Sequence, residues 1–165
     1  MLDTLCRLYN AGLREKEENM IGYIILATLA SAPLDKGVGL GFIVGLPTGV
    51  DAKFWNGSGI SPVLVAGVNE GDHFHFHGDI NLHYPIQAQS VNFLLYYGVG
   101  IKAEEEGKDR FVFGPRLPVI GFEMTLYEIP LDFFVEMAPT LEFGDEPDGI
   151  DFDFEGGLGM RITIK

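Results

Sequence analysis

The sequence predicts an all-β protein, an eight-stranded antiparallel up-and-down transmembrane β-barrel. Three features predict it. From Gly37 onward apolar and polar residues alternate with a period of two, not 3.6. Short segments rich in Gly, Pro, Asn and Asp separate eight such stretches. The two faces so produced are chemically opposite: one is almost wholly apolar, and the other mixes charges of both signs with glycine.

The elements follow in order. In 38–46, Val38, Leu40, Phe42, Val44 and Leu46 oppose Gly39, Gly41, Ile43 and Gly45. In 50–56, Val50, Ala52 and Phe54 oppose Asp51, Lys53 and Trp55. Segment 62–69 is a weaker third strand. In 73–84, Phe74, Phe76, Ile80, Leu82 and Tyr84 oppose His73, His75, His77, Asp79, Asn81 and His83. In 94–103, Leu95, Tyr97, Val99 and Ile101 oppose Tyr96, Gly98, Gly100 and Lys102. Segment 110–126 begins with Phe111, Phe113 and Leu117 opposite Arg116 and ends with Phe122, Met124 and Leu126 opposite Glu123 and Thr125. Its parity slips between Pro118 and Gly121, which predicts a bulge beside a proline. In 131–143, Leu131, Phe133, Val135, Met137, Leu141 and Phe143 oppose Asp132, Glu136, Thr140 and Glu142. In 151–165, Phe152, Phe154, Leu158, Met160, Ile162 and Ile164 oppose Asp153, Glu155, Arg161, Thr163 and Lys165.

Connections this short join antiparallel neighbours, and eight such strands in meander order close most simply into a barrel. Alternation alone does not say which face is inside. An apolar interior would make a soluble lipocalin-like carrier of an apolar ligand, and an apolar exterior makes a membrane barrel. Volume favours the second, because an eight-stranded barrel has room only for side chains or one small ligand. About five large apolar side chains per strand would overfill it. The polar face can pair with itself across a narrow lumen. Its expected ion-pair network is Lys53, Asp79, Lys102, Arg116, Glu123, Asp132, Glu136, Asp153, Glu155 and Arg161. Several stretches also reach the roughly 9–11 residues that a tilted membrane strand needs. Aromatics such as Tyr84, Tyr97, Phe111, Phe113, Tyr127, Phe133, Phe143 and Phe152 fall towards strand ends, where interfacial girdles would form.

Composition fits the same reading. The chain has 165 residues, 47% of them hydrophobic, which suits one packed domain and excludes disorder. Asp and Glu total 24 against 11 Lys and Arg, a net charge of −13, so bulk attraction to nucleic acid is excluded. Cys6 is the one cysteine, which excludes an intramolecular disulfide and a cysteine-clustered zinc site.

Residues 1–32 read as an export segment and 33–165 as the barrel. The apolar run Ile21–Leu29 is too short to span a bilayer as a helix and is followed by Ala30-Ser31-Ala32, as in a signal peptide. Residues 1–19 fit poorly, since Glu15, Glu17 and Glu18 cancel the basic residues, and read as an over-extended start. The alternative is a retained amphipathic helix. The turns near 47, 70, 106 and 147 share one strongly acidic rim, and those near 58, 87 and 129 share the other with both termini. The acidic rim is expected to face outward and the terminal rim the periplasm.

With the strands placed, the chain resembles a group of small bacterial outer-membrane barrels of uncharacterised function, with the architecture of OmpA and OmpX. The resemblance covers about 37–165. It rests on Gly39-Leu40-Gly41-Phe42-Ile43-Val44-Gly45-Leu46-Pro47-Thr48-Gly49 followed by Lys53-Phe54-Trp55. It continues through His75-Phe76-His77-Gly78-Asp79, Leu95-Tyr96-Tyr97-Gly98-Val99-Gly100 and Gly114-Pro115-Arg116-Leu117-Pro118-Val119. Val135-Glu136-Met137-Ala138-Pro139, Asp151-Phe152-Asp153-Phe154 and the Gly159-Met160-Arg161 strand complete it. The group usually ends in an aromatic residue, where this chain has Thr163, Ile164 and Lys165. The resemblance implies an outer-membrane location and a fold, and no activity.

The partners expected are outer-membrane lipid and the barrel-assembly machinery, with no nucleic acid and no cofactor; the sequence specifies no oligomeric state. His73, His75 and His77 share a strand face and could hold a metal, with Asp79, His83 or a neighbouring carboxylate completing the shell. The favoured reading of these histidines is a polar lumen wall, which titrates near pH 6.5 if its rings are unperturbed. The segment Asp145–Asp151 looks loosely like a calcium loop but lacks EF-hand spacing. Catalysis is not expected, because no nucleophile is placed beside a base. A metal-dependent or lipid-modifying enzyme is the third reading, after the membrane barrel and the soluble carrier.

Overall fold

A computed structural model describes residues 36–69, 73–87, 91–106, 110–126, 129–144 and 150–165. The export segment at 1–32, the acidic tips at 70–72, 107–109 and 145–149, and most of the calcium-loop segment lie outside the described residues.

Eight strands form one closed barrel in chain order. They are β1 (Gly37–Leu46), β2 (Thr48–Trp55), β3 (Ile60–Asn69) and β4 (His73–Gln87), then β5 (Val91–Glu106), β6 (Arg110–Leu126), β7 (Leu131–Gly144) and β8 (Asp151–Ile164). Every neighbour pair is antiparallel, and β1 closes on β8 from Val38↔Ile164 to Leu46↔Gly156. The all-β, up-and-down architecture is therefore as the hairpin rhythm predicts.

Boundaries differ most in β4 and β5. The sequence reading ends the fourth strand at 84 and starts the fifth at 94, because Pro85 to Ser90 look like a turn. The ladder instead continues through Pro85↔Leu94, Ile86↔Phe93 and Gln87↔Asn92. Proline costs a strand its amide donor but not its extended backbone, so Pro85 is carried within a long hairpin arm. The register of β6 with β7 shifts between Arg116 and Ile120, and Leu117 and Pro118 are both exposed in succession. The parity slip thus lies at Leu117–Pro118, slightly before the position read from the pattern. A second shift, between Gly98 and Gly100, lies on the other side of β6.

Two turns show their chemistry. At the β1–β2 corner the Thr48 hydroxyl donates to the Gly45 carbonyl (3.0 Å) and accepts the Gly45 amide (3.1 Å). Gly45 has φ +150°, and a Cβ there would meet the Gly156 carbonyl at 2.3 Å. At the β2–β3 corner Asn56 Oδ1 accepts from the Ser58 amide (2.8 Å) and hydroxyl (2.6 Å). Gly57 and Gly59 there take φ near +80°, the left-handed region that glycine tolerates.

Burial settles the two faces. Among the described residues 33 large apolar side chains are exposed, and 18 polar or charged side chains are buried. Leu40, Phe42, Phe76, Ile80, Val99, Ile101, Val135 and Leu158 point outward, and Asp51, Lys53, His77, Asp79, Arg116 and Arg161 point inward. The hydrophobic interior is reduced to small clusters such as Ile43, Val63, Val65 and Phe134. No helix among the described residues is long and apolar enough to cross a membrane, a criterion that does not address strands.

Candidate functional site

The candidate site is the lumen. Inward positions of opposed strands carry long charged side chains that meet across it. Towards the terminal rim, Lys53 on β2 pairs with Glu123 on β6, four strands away around the wall. Arg161 on β8 grips Asp51 on β2 through Nε and through an Nη2–Oδ2 bond of 2.9 Å. Its Nη1 reaches Glu123 Oε2 at 3.3 Å. The guanidinium lies 3.6 Å above the Phe134 ring, and Lys53 Nζ lies 3.8 Å above Trp55. Asp132 accepts from the Thr163 hydroxyl at 2.5 Å.

Deeper in the lumen, Arg116 on β6 gathers three carboxylates. Its Nη1 donates to Asp79 Oδ2 at 2.9 Å, and its Nη2 approaches Glu136 Oε1 at 3.4 Å. Its Nε stands 3.0 Å from Glu155 Oε2. The Tyr96 hydroxyl donates to Glu136 Oε2 at 3.0 Å. Towards the acidic rim, Lys102 donates to Glu142 (2.5 Å) and Glu155 (2.7 Å) and lies 3.3 Å from Glu104. These bonds join β4, β5, β6, β7 and β8, so they brace the wall across its diameter.

Small residues make this possible. A Cβ at Gly121 would fall 2.1 Å from the Tyr96 ring, and one at Gly159 would fall 2.0 Å from the Phe134 ring. Each aromatic lies over a glycine on the paired strand, Tyr96↔Gly121 and Phe134↔Gly159. Gly100 similarly leaves the space that the Asp79 carboxylate occupies.

Of the ten residues expected in the network, Lys53, Asp79, Lys102, Arg116, Glu123, Asp132, Glu136, Glu155 and Arg161 are buried inward. Asp153 is not; its side chain is 47% exposed, at the mouth, 3.5 Å from Lys102. Sequence reasoning missed Asp51, Glu104, Glu142 and Tyr96 as members. All four share parity with a chosen neighbour, so the signal was present. Glu104 adjoins an acidic turn and reads as part of the rim, whereas Asp51, Tyr96 and Glu142 already lie on the polar face of their strands.

The histidines divide. His75 and His77 are fully buried, whereas His73 is half-buried at the start of β4. Donor atoms of His75, His77 and Glu155 lie within 4.8 Å of one another, as do those of His77, Asp79 and Glu136. His73 belongs to neither group, so the expected trio does not assemble. Alternate residues share a face, but His73 sits too near the rim to turn towards the same point as His77.

His83 approaches Ser61 Oγ at 3.4 Å, a serine–histidine contact that no sequence motif announces. It is not a nucleophile–base pair. His83 Nδ1 faces the Gly59 carbonyl at 3.2 Å, which requires a proton on Nδ1, and Nε2 lies 2.8 Å from Lys53 Nζ, which requires a lone pair there. Both ring nitrogens are thereby committed, so His83 does not act as a base towards the serine.

No family model, curated protein or solved structure matches this chain. The closed eight-stranded antiparallel topology is consistent with the architecture of OmpA and OmpX.

Proposed function

We propose that this chain is an outer-membrane β-barrel whose role is structural or interactional, with a charged and largely plugged lumen. The observation that carries the reading is the inverted polarity of a closed barrel. Among the described residues its outer wall is lined by exposed apolar side chains, and its interior holds eight buried carboxylates and four buried cationic side chains. Exposed apolar surface on this scale marks a face made to meet another apolar phase. Closure leaves no unpaired strand edge, the condition for strands in hydrocarbon. Lipid is then the principal partner, the assembly machinery inserts the barrel, and the acidic rim faces outward.

The lumen supports a plug rather than a pore. Arg116 and Arg161 are about 1% exposed and lie across the interior. A soluble carrier would need an apolar cavity in the place those side chains fill. An enzyme would need a nucleophile beside a free base, and the Ser61–His83 contact does not provide that pair.

The test is gel mobility of the detergent-extracted mature protein, unboiled against boiled, with fractionation of the cells that make it. The expected result is a band in the outer-membrane fraction that shifts on boiling. A detergent-independent protein in the soluble fraction overturns the reading.

A further inference from the structure

The lumen carries an imbalance that its ion pairs leave standing. Among the described residues eight buried carboxylates face four buried cationic side chains. The excess is uneven. Asp51, Glu123 and Asp132 are nearly matched by Lys53 and Arg161. Around His75 and His77, however, Asp79, Glu104, Glu136 and Glu155 are set against Lys102 and Arg116 among the described residues. Buried charge left unmatched is costly, so this region calls for further positive charge.

The hydrogen bonds show where it would sit. Glu104 Oε2 lies 3.1 Å from His75 Nδ1, and a carboxylate only accepts, so Nδ1 carries the proton. In the neutral ring, His75 Nε2 is then an acceptor, and it lies 2.9 Å from His77 Nδ1. His77 Nδ1 therefore donates, which leaves the lone pair on His77 Nε2. That nitrogen is buried and has no hydrogen-bond partner among the described residues. It faces Asp79 Oδ2 at 3.7 Å and Glu136 Oε1 at 3.9 Å. A lone pair aimed at two carboxylate oxygens is repulsive unless a proton or a metal ion lies between them.

The spacing suits a shared ion better than a hydrogen bond. Nitrogen-to-oxygen hydrogen bonds run to about 3.2 Å. Donors bonded at about 2.0–2.2 Å to one tetrahedral zinc lie roughly 3.3–3.6 Å apart. The observed gaps are close to the second range and need only a small inward shift.

We propose that the lumen binds one divalent transition-metal ion through His77 Nε2, Asp79 and Glu136, with His75 and Glu104 orienting the His77 ring. Imidazole with carboxylates favours zinc over magnesium or calcium. The Glu104–His75–His77 relay supplies the outer hydrogen bond that metal-bound histidines usually have and fixes the tautomer that presents Nε2. Arg116 opposes the ion, since it contacts Asp79 Oδ2 and Glu136 Oε1 as well. Yet Asp79 and Glu136 share that one guanidinium with Glu155, whose other partner is Lys102, so the Asp79–Glu136 pair keeps a net negative charge that a bound cation would offset. The ligands differ from the histidine trio that the sequence suggests: carboxylates replace His73, and His75 stands behind the site.

The test strips the refolded full-length barrel with a chelator, adds zinc chloride, desalts it and measures bound zinc by mass spectrometry. Wild type and His73→Asn are expected to keep about one zinc per chain, the single ion this donor set can hold. His77→Asn is expected to keep none, and His75→Asn to bind about 10–100-fold more weakly. The heat-shifted band shows whether each variant is folded. A measurement on the unmutated chain stands beside these, the ring-nitrogen NMR of labelled histidines with and without zinc. His77 Nε2 is expected to move to a metal-bound shift on zinc addition. A wild-type barrel that retains no zinc overturns the proposal, as does a His77 ring that is unchanged by zinc. Equal losses in His73→Asn and His77→Asn overturn it too.

Discussion

Arg116→Glu is expected to abolish the closed barrel under conditions where Glu105→Lys leaves it intact. Arg116 holds Asp79, Glu136 and Glu155 together inside the lumen, where the guanidinium is buried from solvent. Removing one partner of a buried pair costs about 3–5 kcal/mol, because the other charge stays buried and unmatched. Reversal goes further: it sets four carboxylates against one another. Native domains hold only about 5–15 kcal/mol in all, so this change consumes much of the margin. Glu105 is exposed at the rim, where a substitution shifts stability by about 0.5 kcal/mol or less. The check is urea unfolding of both variants in detergent, read as loss of the fast-migrating band. Equal midpoints would show that the lumen contacts do not brace the barrel.

Ile80→Arg should destabilise the barrel in bilayers by about 2–4 kcal/mol, the cost of a cationic side chain at the hydrocarbon midplane. Ile80 stands at the middle of β4 and points outward between Pro62 of β3 and Val99 of β5. The same change at Phe74, near the end of β4, should cost about 0–1 kcal/mol. This depth dependence has no counterpart in water, where both outward arginines would be solvated and nearly neutral in effect. Unfolding from lipid vesicles, with the two variants side by side, reads the difference. Indistinguishable midpoints would mean that the outer wall does not lie in hydrocarbon.

Much of this architecture is legible in the sequence, because a strand's two-residue period writes its faces directly into the chain. Lys53, Asp79, Glu136 and Arg161 can be placed inward from their neighbours alone. The same parity also carries Ile43, Tyr96 and Phe134 inward, and there composition misleads: an apolar residue on the polar face reads as noise. Phe134 in fact roofs Gly159 and supports Arg161. Which charges meet is not legible, since Lys53 and Glu123 are 70 residues apart and are joined only by closure of the barrel. The histidine cluster shows the same limit. Spacing puts His73, His75 and His77 on one face, but the carboxylates facing His77 include Glu136, from β7. Residue type misled at Pro85 and Glu104, where turn-forming and acidic character concealed residues that continue a strand.

The most direct test of the central claim, that the apolar outer wall meets lipid, is the accessibility of spin labels in reconstituted vesicles. Single cysteines replace Ile80, Val99 and Glu105 in a Cys6→Ser background. At Ile80 and Val99, adjacent on the outer wall, the account predicts collisions with oxygen dissolved in the bilayer and shielding from a water-soluble nickel complex. At Glu105 it predicts the reverse. A nickel complex that reaches Ile80 and Val99 as freely as Glu105 would contradict it, and would place the apolar wall in water or against another protein.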